Sequence, residues 1–240
     1  MQINHPAWHV AVLIPARNEE LLIQRCLDSV LVARSFLPPL ITSDLVVACD
    51  SSTDRTFELA AHILHSAGIV VRTRAAVVGH ARALAARVAL RRYAGPLQRC
   101  WLANTDADCC VPETWLLDQI GIADQGIDAI AGTISVDSFE EHPVGTAKRF
   151  RDSYIIHADG THPHVHGANM GVRADTYLRA GGWRGLATAE DHDLWNRLMG
   201  KAVRQHSTTR VRVITSGRRR GRAPRGFANA LVGCDEAASC

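Results

Sequence analysis

Apolar and polar positions fall into alternating blocks along the first half of the chain. The run HVAVLIP (9–15) is short, apolar and closed by a proline, the pattern of a parallel strand buried on both faces. A helix is expected from Asn18 as N-cap, with Glu19 and Glu20 in its first turn and Ile23, Leu27, Val30 and Leu31 on one face. DLVVAC (44–49) predicts a second strand, and SSTD (51–54) opens a helix with Phe57, Ala60, Leu64 and Ala67 facing inward. IVVRT (69–73) predicts a third strand, followed by a helix marked by Ala81, Leu84, Ala85 and Val88, and CWLAN (100–104) a fourth strand. This strand–helix alternation predicts an α/β fold with helices on both faces of a largely parallel sheet.

The second half is less regular. AIAGTISV (129–136) has strand character, residues 146–156 helical character, and GANMGVR (167–173) reads as another strand. EDHDLWNRLMG (190–200) predicts a helix ending at Gly200, and VRVITS (211–216) a short strand before a basic loop. The sheet is therefore expected to be parallel at first and mixed later. A single domain over residues 1–228 is expected, with a flexible tail over 229–240.

Composition narrows the class. At 240 residues, 47% apolar and 21% charged, the chain has the balance of a globular protein with one core. A net charge of +3 gives no reason to expect nucleic acid as partner. The distribution says more: no carboxylate lies between Asp193 and Asp235, while ten Lys and Arg residues do, among them Arg218, Arg219, Arg220, Arg222 and Arg225. Such a stretch attracts phosphate or another anion. Seven cysteines without a C-x-x-C pair suit a reducing compartment, and the absence of a leader-like start or a long apolar run leads to the expectation of a cytoplasmic protein.

Ligands of parallel α/β sheets bind beyond the carboxyl ends of the strands. At those predicted ends stand Pro15, Arg17 and Glu19, then Asp50, then Asp106 and Asp108. Two aspartates one residue apart in an extended segment point to one side and can share a hard cation, Mg2+ or Mn2+, leaving positions open for phosphate oxygens. A diphosphate leaving group needs that neutralisation. Glu190 and Asp191 open a predicted helix; they are either capping acids or include a general base. His162, His164 and His166 alternate along one segment, either as a zinc site or as a polar wall of an acceptor site. The SGRRRGRAPRG loop is either solvated or an anion clamp. Dinucleotide, P-loop, HExxH and nucleophile-elbow motifs are absent.

Taken in order, VAVLIPARNEE, VVACDSSTDRT, WLANTDAD, GANMGVR and AEDHDLW resemble the motifs of family 2 glycosyltransferases of the GT-A fold, over roughly Val10 to Leu198. The ending VITSGRRRGRAPRGF is similar to the TS-x-R-R tail of some bacterial members. The resemblance implies a nucleotide-sugar donor, with UDP or GDP as nucleotide, and inversion by single displacement. It implies that Pro15, Arg17, Glu19 and Asp50 line the nucleotide pocket, although Cys49 replaces the first Asp of the usual DDGSTD. It implies that Asp106 and Asp108 form the D-x-D, with Asp108 the metal ligand, that Asp191 is the base and that Glu190 orients the acceptor. His166, Asn169, Arg219 and Arg220 are candidates for acceptor or phosphate contacts. His80 and Arg82 occupy a segment where many members carry a lysine.

Two other classes are weighed against this. A sugar nucleotidyltransferase would show a glycine-rich loop after the first strand, where PARNEE stands. A non-catalytic nucleotide-binding protein would not need Asp106, Asp108, Glu190 and Asp191 together. Sugar, base and acceptor are not legible; a small molecule, a protein or a lipid-linked acceptor reached by peripheral membrane contact all stay open.

Overall fold

The computed structural model describes residues 7–199, 202–223 and 226–236. Seven strands form one sheet: β1 (His9–Ala16), β2 (Thr42–Asp50), β3 (Ile69–Thr73), β4 (Cys100–Asn104), β5 (Ala129–Val136), β6 (Met170–Arg173) and β7 (Gln205–Thr215). Their order is β3-β2-β1-β4-β6-β5-β7. Only β6 runs against its neighbours; the remaining pairs are parallel, which gives the mixed, mostly parallel sheet expected.

Among the described residues eight α-helices accompany the sheet: α1 (Ile23–Ser35), α2 (Thr56–Leu64), α3 (Val78–Arg92), α4 (Trp115–Asp124), α5 (Thr146–Ser153), α6 (Ala174–Arg179), α7 (Glu190–Leu198) and α8 (Phe227–Glu236). The period-2 alternation of β1 sorts its side chains between two cores. Val10, Val12 and Ile14 pack with Ile23, Leu27 and Val30 of α1 and with Ala60, Leu64, Trp115 and Leu116. Ala11 and Leu13 face the opposite core, built on Ala81, Ala85, Ala86 and Ala89 of α3 with Tyr177, Leu194 and Leu198. The small residues of α3 let that helix lie close to β1 and β2.

Several boundaries differ from the expected ones. α1 begins at Ile23 and not at Asn18, because Asn18 adopts a left-handed backbone with φ of 52° and turns its side chain to the next strand–helix loop, where Oδ1 accepts the Thr53 N–H at 2.8 Å. Only Met170–Arg173 of the GANMGVR segment is strand; Gly167–Asn169 form a short 3₁₀ turn before it. β7 starts at Gln205, six positions ahead of the apolar run, because its polar first half pairs with Ala129–Gly132 before a bulge shifts the register. The expected tail from residue 229 overlaps α8; residues 237–240, like the helix end expected at Gly200, lie outside the described residues. Among the described residues no helix is long and apolar enough to cross a membrane.

Candidate functional site

The sheet order places β1 between β2 and β4; the chain leaves β1 toward β2 and leaves β4 toward β5 on the other side, which opens a crevice at the strands' carboxyl ends. A cleft of about 500 Å³ lies there. It is lined by Pro15, Arg17 and Glu19 after β1, Asp50 at the end of β2, Asp106 and Asp108 after β4, His166 before β6, and Glu190 and Asp191 at the start of α7. Residues scattered over 176 positions of sequence, from Pro15 to Asp191, thus share one wall system.

Two arginines tie these acids together. Arg82, buried on α3, donates from Nη2 to Asp106 Oδ1 at 2.6 Å and from Nε to Glu190 Oε1 at 3.0 Å. Burial alone would lower its pKa, but the two carboxylates outweigh that effect and hold it protonated. Arg218, just past β7, grips both oxygens of Glu19 at 2.7 and 2.6 Å and lies 3.0 Å from Asp108 Oδ2. Neither arginine was singled out from the sequence as a site residue. Arg82 carried a signal only through its place in the segment where many members have a lysine, and Arg218 was hidden in a run of three identical residues.

Asp106 and Asp108 do not sit on an extended segment as expected. Residues 106–109 form a turn, closed by the Cys109 N–H on the Asp106 carbonyl at 3.0 Å, and the turn still presents both side chains to the cleft. Burial pushes Asp108 up to about 6, with Arg218 opposing the rise and Asp106 and Glu19 adding to it. In an unfolded chain an aspartate titrates near ~3.9, so the folded protein binds a proton here that the unfolded chain has already released. The group's contribution to stability is therefore full below about pH 4 and is lost as the pH rises through 6. Asp108→Asn, a neutral isostere, should melt higher than the wild type at pH 8, by the equivalent of ~1–3 kcal/mol, and level with it at pH 4. Thermal melts of both proteins at the two pH values check this; equal melting at pH 8 contradicts it.

Asp191 is fixed by two backbone donors, the Gly167 N–H on Oδ2 and the His192 N–H on Oδ1, both at 2.8 Å. It remains partly exposed to the cleft, whereas Glu190 is buried, raised by that burial and paired to Arg82. His166 is pushed down to about 4, chiefly by burial, and its Nε2 meets the Tyr154 hydroxyl at 3.0 Å. Asp50 accepts the N–H groups of Ala76 and Val77, each at 2.8 Å, and so shapes the loop entering α3.

That loop and α3 are packed tightly against the approach to α7. A Cβ on Gly79 would collide with the carbonyl oxygen of Arg184 and come within 2.8 Å of the Leu186 nitrogen, both backbone atoms that cannot swing away. Gly79→Ala should cost ~1–3 kcal/mol by overpacking and move the segment leading to Glu190 and Asp191. A lowered urea midpoint with unchanged slope is the expected reading.

Other candidates lie elsewhere. Asn169 is fully buried, donating to the carbonyls of Thr133 and Val211 at 2.8 and 3.0 Å and accepting from Trp115, so it staples β5 to β7 away from the cleft. Arg219 turns to Asp235 of α8 at 3.1 Å, and Arg220 is exposed; neither lines the cleft. His162, His164 and His166 stack in a ladder that takes in Tyr154. Among the described residues no group of three or more His, Cys, Asp or Glu side chains is placed to hold a metal ion, so the zinc alternative for the histidines has no ligand set there. Arg222, from the basic stretch, lines the cleft, as do Gly226 and Phe227, which no sequence signal marks.

With this geometry in hand, the chain can be compared with known proteins. The model of glycosyl transferase family 2 matches residues 11–178. No curated protein matches the chain. Among solved structures, S. aureus TarS 1-349 in complex with UDP-GlcNAc superposes with a TM-score of 0.66 at 15% identity, over 91% of this chain and 61% of that one. The mannosyltransferase PcManGT from Pyrobaculum calidifontis, in complex with GDP-Man and Mn2+, gives 0.61 at 18% identity, over 99% and 71%. GalNAc-T7 with UDP, GalNAc and Mn2+ gives 0.64 at 15%, over 89% and 44%. The chain thus spans about three fifths of the TarS fragment, and at these identities the likeness is one of fold.

Proposed function

Because the chain belongs to glycosyl transferase family 2, matched over residues 11–178, we propose that it transfers a sugar from a UDP- or GDP-sugar to an acceptor hydroxyl, with a divalent cation and inversion at the anomeric carbon. The observation that carries this reading is the cleft that brings Asp106 and Asp108 together with Glu190 and Asp191, Arg82 bridging Asp106 to Glu190 and Arg218 pairing Asp108 with Glu19. Neighbours of the same fold bind UDP-GlcNAc and GDP-Man, which supports a nucleotide-sugar donor here.

The donor set suits Mg2+ or Mn2+. Among the described residues, six carboxylates, those of Glu19, Asp50, Asp106, Asp108, Glu190 and Asp191, line the cleft with the four guanidiniums of Arg17, Arg82, Arg218 and Arg222. Magnesium characteristically takes one or two carboxylates and completes its shell with phosphate and water, so a pair of aspartates suffices. Asp108 and Asp106 would hold the cation, which when bound neutralises charge on the leaving diphosphate. The side chains do the rest. Arg82 lines the cleft and holds Asp106 and Glu190 in place. Glu190 is spent on Arg82 and acts by positioning. Asp191, held by the Gly167 and His192 amides with its carboxylate facing the cleft, accepts the proton of the attacking hydroxyl.

A nucleotidyltransferase has no comparable support, since nothing glycine-rich follows β1 to cradle a triphosphate. Incubation with UDP- and GDP-sugars in Mn2+ should release the nucleoside diphosphate from one donor class, slowly to water and faster with an acceptor sugar. The anomeric configuration of the product, read by NMR, should be opposite to the donor's. Retained configuration removes Asp191 from its role as base in a single displacement.

A further inference from the structure

We propose that Arg218 is a built-in counter-cation of the acidic site: it occupies the Asp108 carboxylate in the donor-free protein and transfers to the diphosphate on binding, so that divalent cation and donor bind cooperatively. The inference rests on the proposed function above and deepens it.

The Arg218 guanidinium is nearly buried and makes three short contacts with two acids, both oxygens of Glu19 and Oδ2 of Asp108. The oxygen it meets on Asp108, 3.0 Å away, belongs to the carboxylate that the D-x-D reading assigns to the metal. A dication approaching Asp108 is repelled by the guanidinium already in contact with that oxygen, and both draw on the same carboxylate charge. In the donor-free protein the arginine therefore competes with the metal.

The surroundings allow an exchange with little backbone movement. Gly217, immediately before, is anchored on both sides: its N–H donates to Asp137 Oδ1 at 2.9 Å and its carbonyl faces His142 Nε2 at 2.8 Å. The root of Arg218 is thus fixed while its long side chain can swing. Glu19 is not stripped when Arg218 leaves, because Arg222 already stands 3.9 Å from it, held by a 3.0 Å bond to the Asn18 carbonyl. A diphosphate entering the cleft offers the guanidinium the paired oxygens it prefers and vacates Asp108 for the cation. By linkage, whatever the diphosphate gains from the metal, the metal gains from the diphosphate.

The test is Mn2+ alone, titrated by calorimetry into wild type, Arg218→Met and Arg218→Lys. Removing the competing charge should tighten Mn2+ binding at least tenfold in Arg218→Met, while Arg218→Lys, which keeps the charge but not the paired geometry, falls between. The same Arg218→Met protein should bind UDP or GDP in Mn2+ at least tenfold more weakly than wild type. Equal Mn2+ affinity in all three proteins overturns the inference. Should that occur while wild type still binds UDP or GDP with Mn2+, the glycosyltransferase reading stands; should wild type bind no nucleoside diphosphate, that reading fails and takes the inference with it.

Discussion

Asp191→Asn should lower the rate of sugar transfer about a thousandfold while leaving donor affinity within a few-fold of wild type. The amide keeps the shape of the carboxylate, and its one oxygen keeps one of the Gly167 and His192 N–H bonds while the other N–H comes to face the new NH2 group, a loss confined to the surroundings of Asp191. What is lost is the ability to take a proton from the acceptor oxygen as it attacks. In the proposed reading the donor is held by the Asp106–Asp108 turn and not by Asp191, so its dissociation constant should hardly change. Steady-state kinetics together with a donor titration separate the two effects. A variant that keeps its turnover removes Asp191 from the mechanism, and one that loses donor binding in proportion makes it a structural residue instead.

The second large effect concerns stability. Arg82→Met should destabilise the fold by ~3–5 kcal/mol, because it leaves the buried Glu190 carboxylate and the half-buried Asp106 without their counter-charge. For a chain of this size that corresponds to a fall in melting temperature of roughly 10 °C. Adding Glu190→Gln to Arg82→Met removes the orphaned charge and should recover much of the loss, which a cavity effect alone would not. If the double variant melts no higher than the single one, the ion pair is not what Arg82 contributes.

Much of the central sheet can be read from the chain because its signal is local. β3, β4 and β5 occupy the expected positions, IVVRT, CWLAN and AIAGTISV, since buried parallel strands are short apolar runs bounded by polar residues. β7 is longer than the VRVITS run that marks it in the sequence: QHSTTR is polar throughout, and only its pairing with Ala129–Gly132 makes it a strand. Asn18 has the composition of a helix cap, yet a left-handed turn and a bond to Thr53 claim it, a choice made by the neighbouring loop. α4, α6 and α8 were not anticipated, and α8 owes its place to contacts distant in sequence, such as Asp235 with His142 and Thr146.

The acids of the candidate site were legible because strand ends mark where ligands bind. Their counter-charges were not. Which of Arg218, Arg219 and Arg220 turns inward depends on the backbone direction after Thr215, and nothing in three consecutive arginines records it. Arg82 sits among alanines on a helix face that periodicity assigns to the core, and its partners come from β4 and α7, 24 and 108 residues away. Asn169 has the look of a polar site residue beside His166, but its three bonds to Thr133, Val211 and Trp115 make it part of the core.

The central claim is that this cleft binds a nucleoside diphosphate through a cation held at Asp106 and Asp108. It is tested most directly by calorimetric titration with UDP, GDP, ADP and dTDP, in Mn2+ and again with a chelator. Saturable binding of UDP or GDP that disappears with the chelator, and weakens at least tenfold in Asp108→Ala, is the predicted result. Failure of all four nucleotides to bind in Mn2+ would contradict the account.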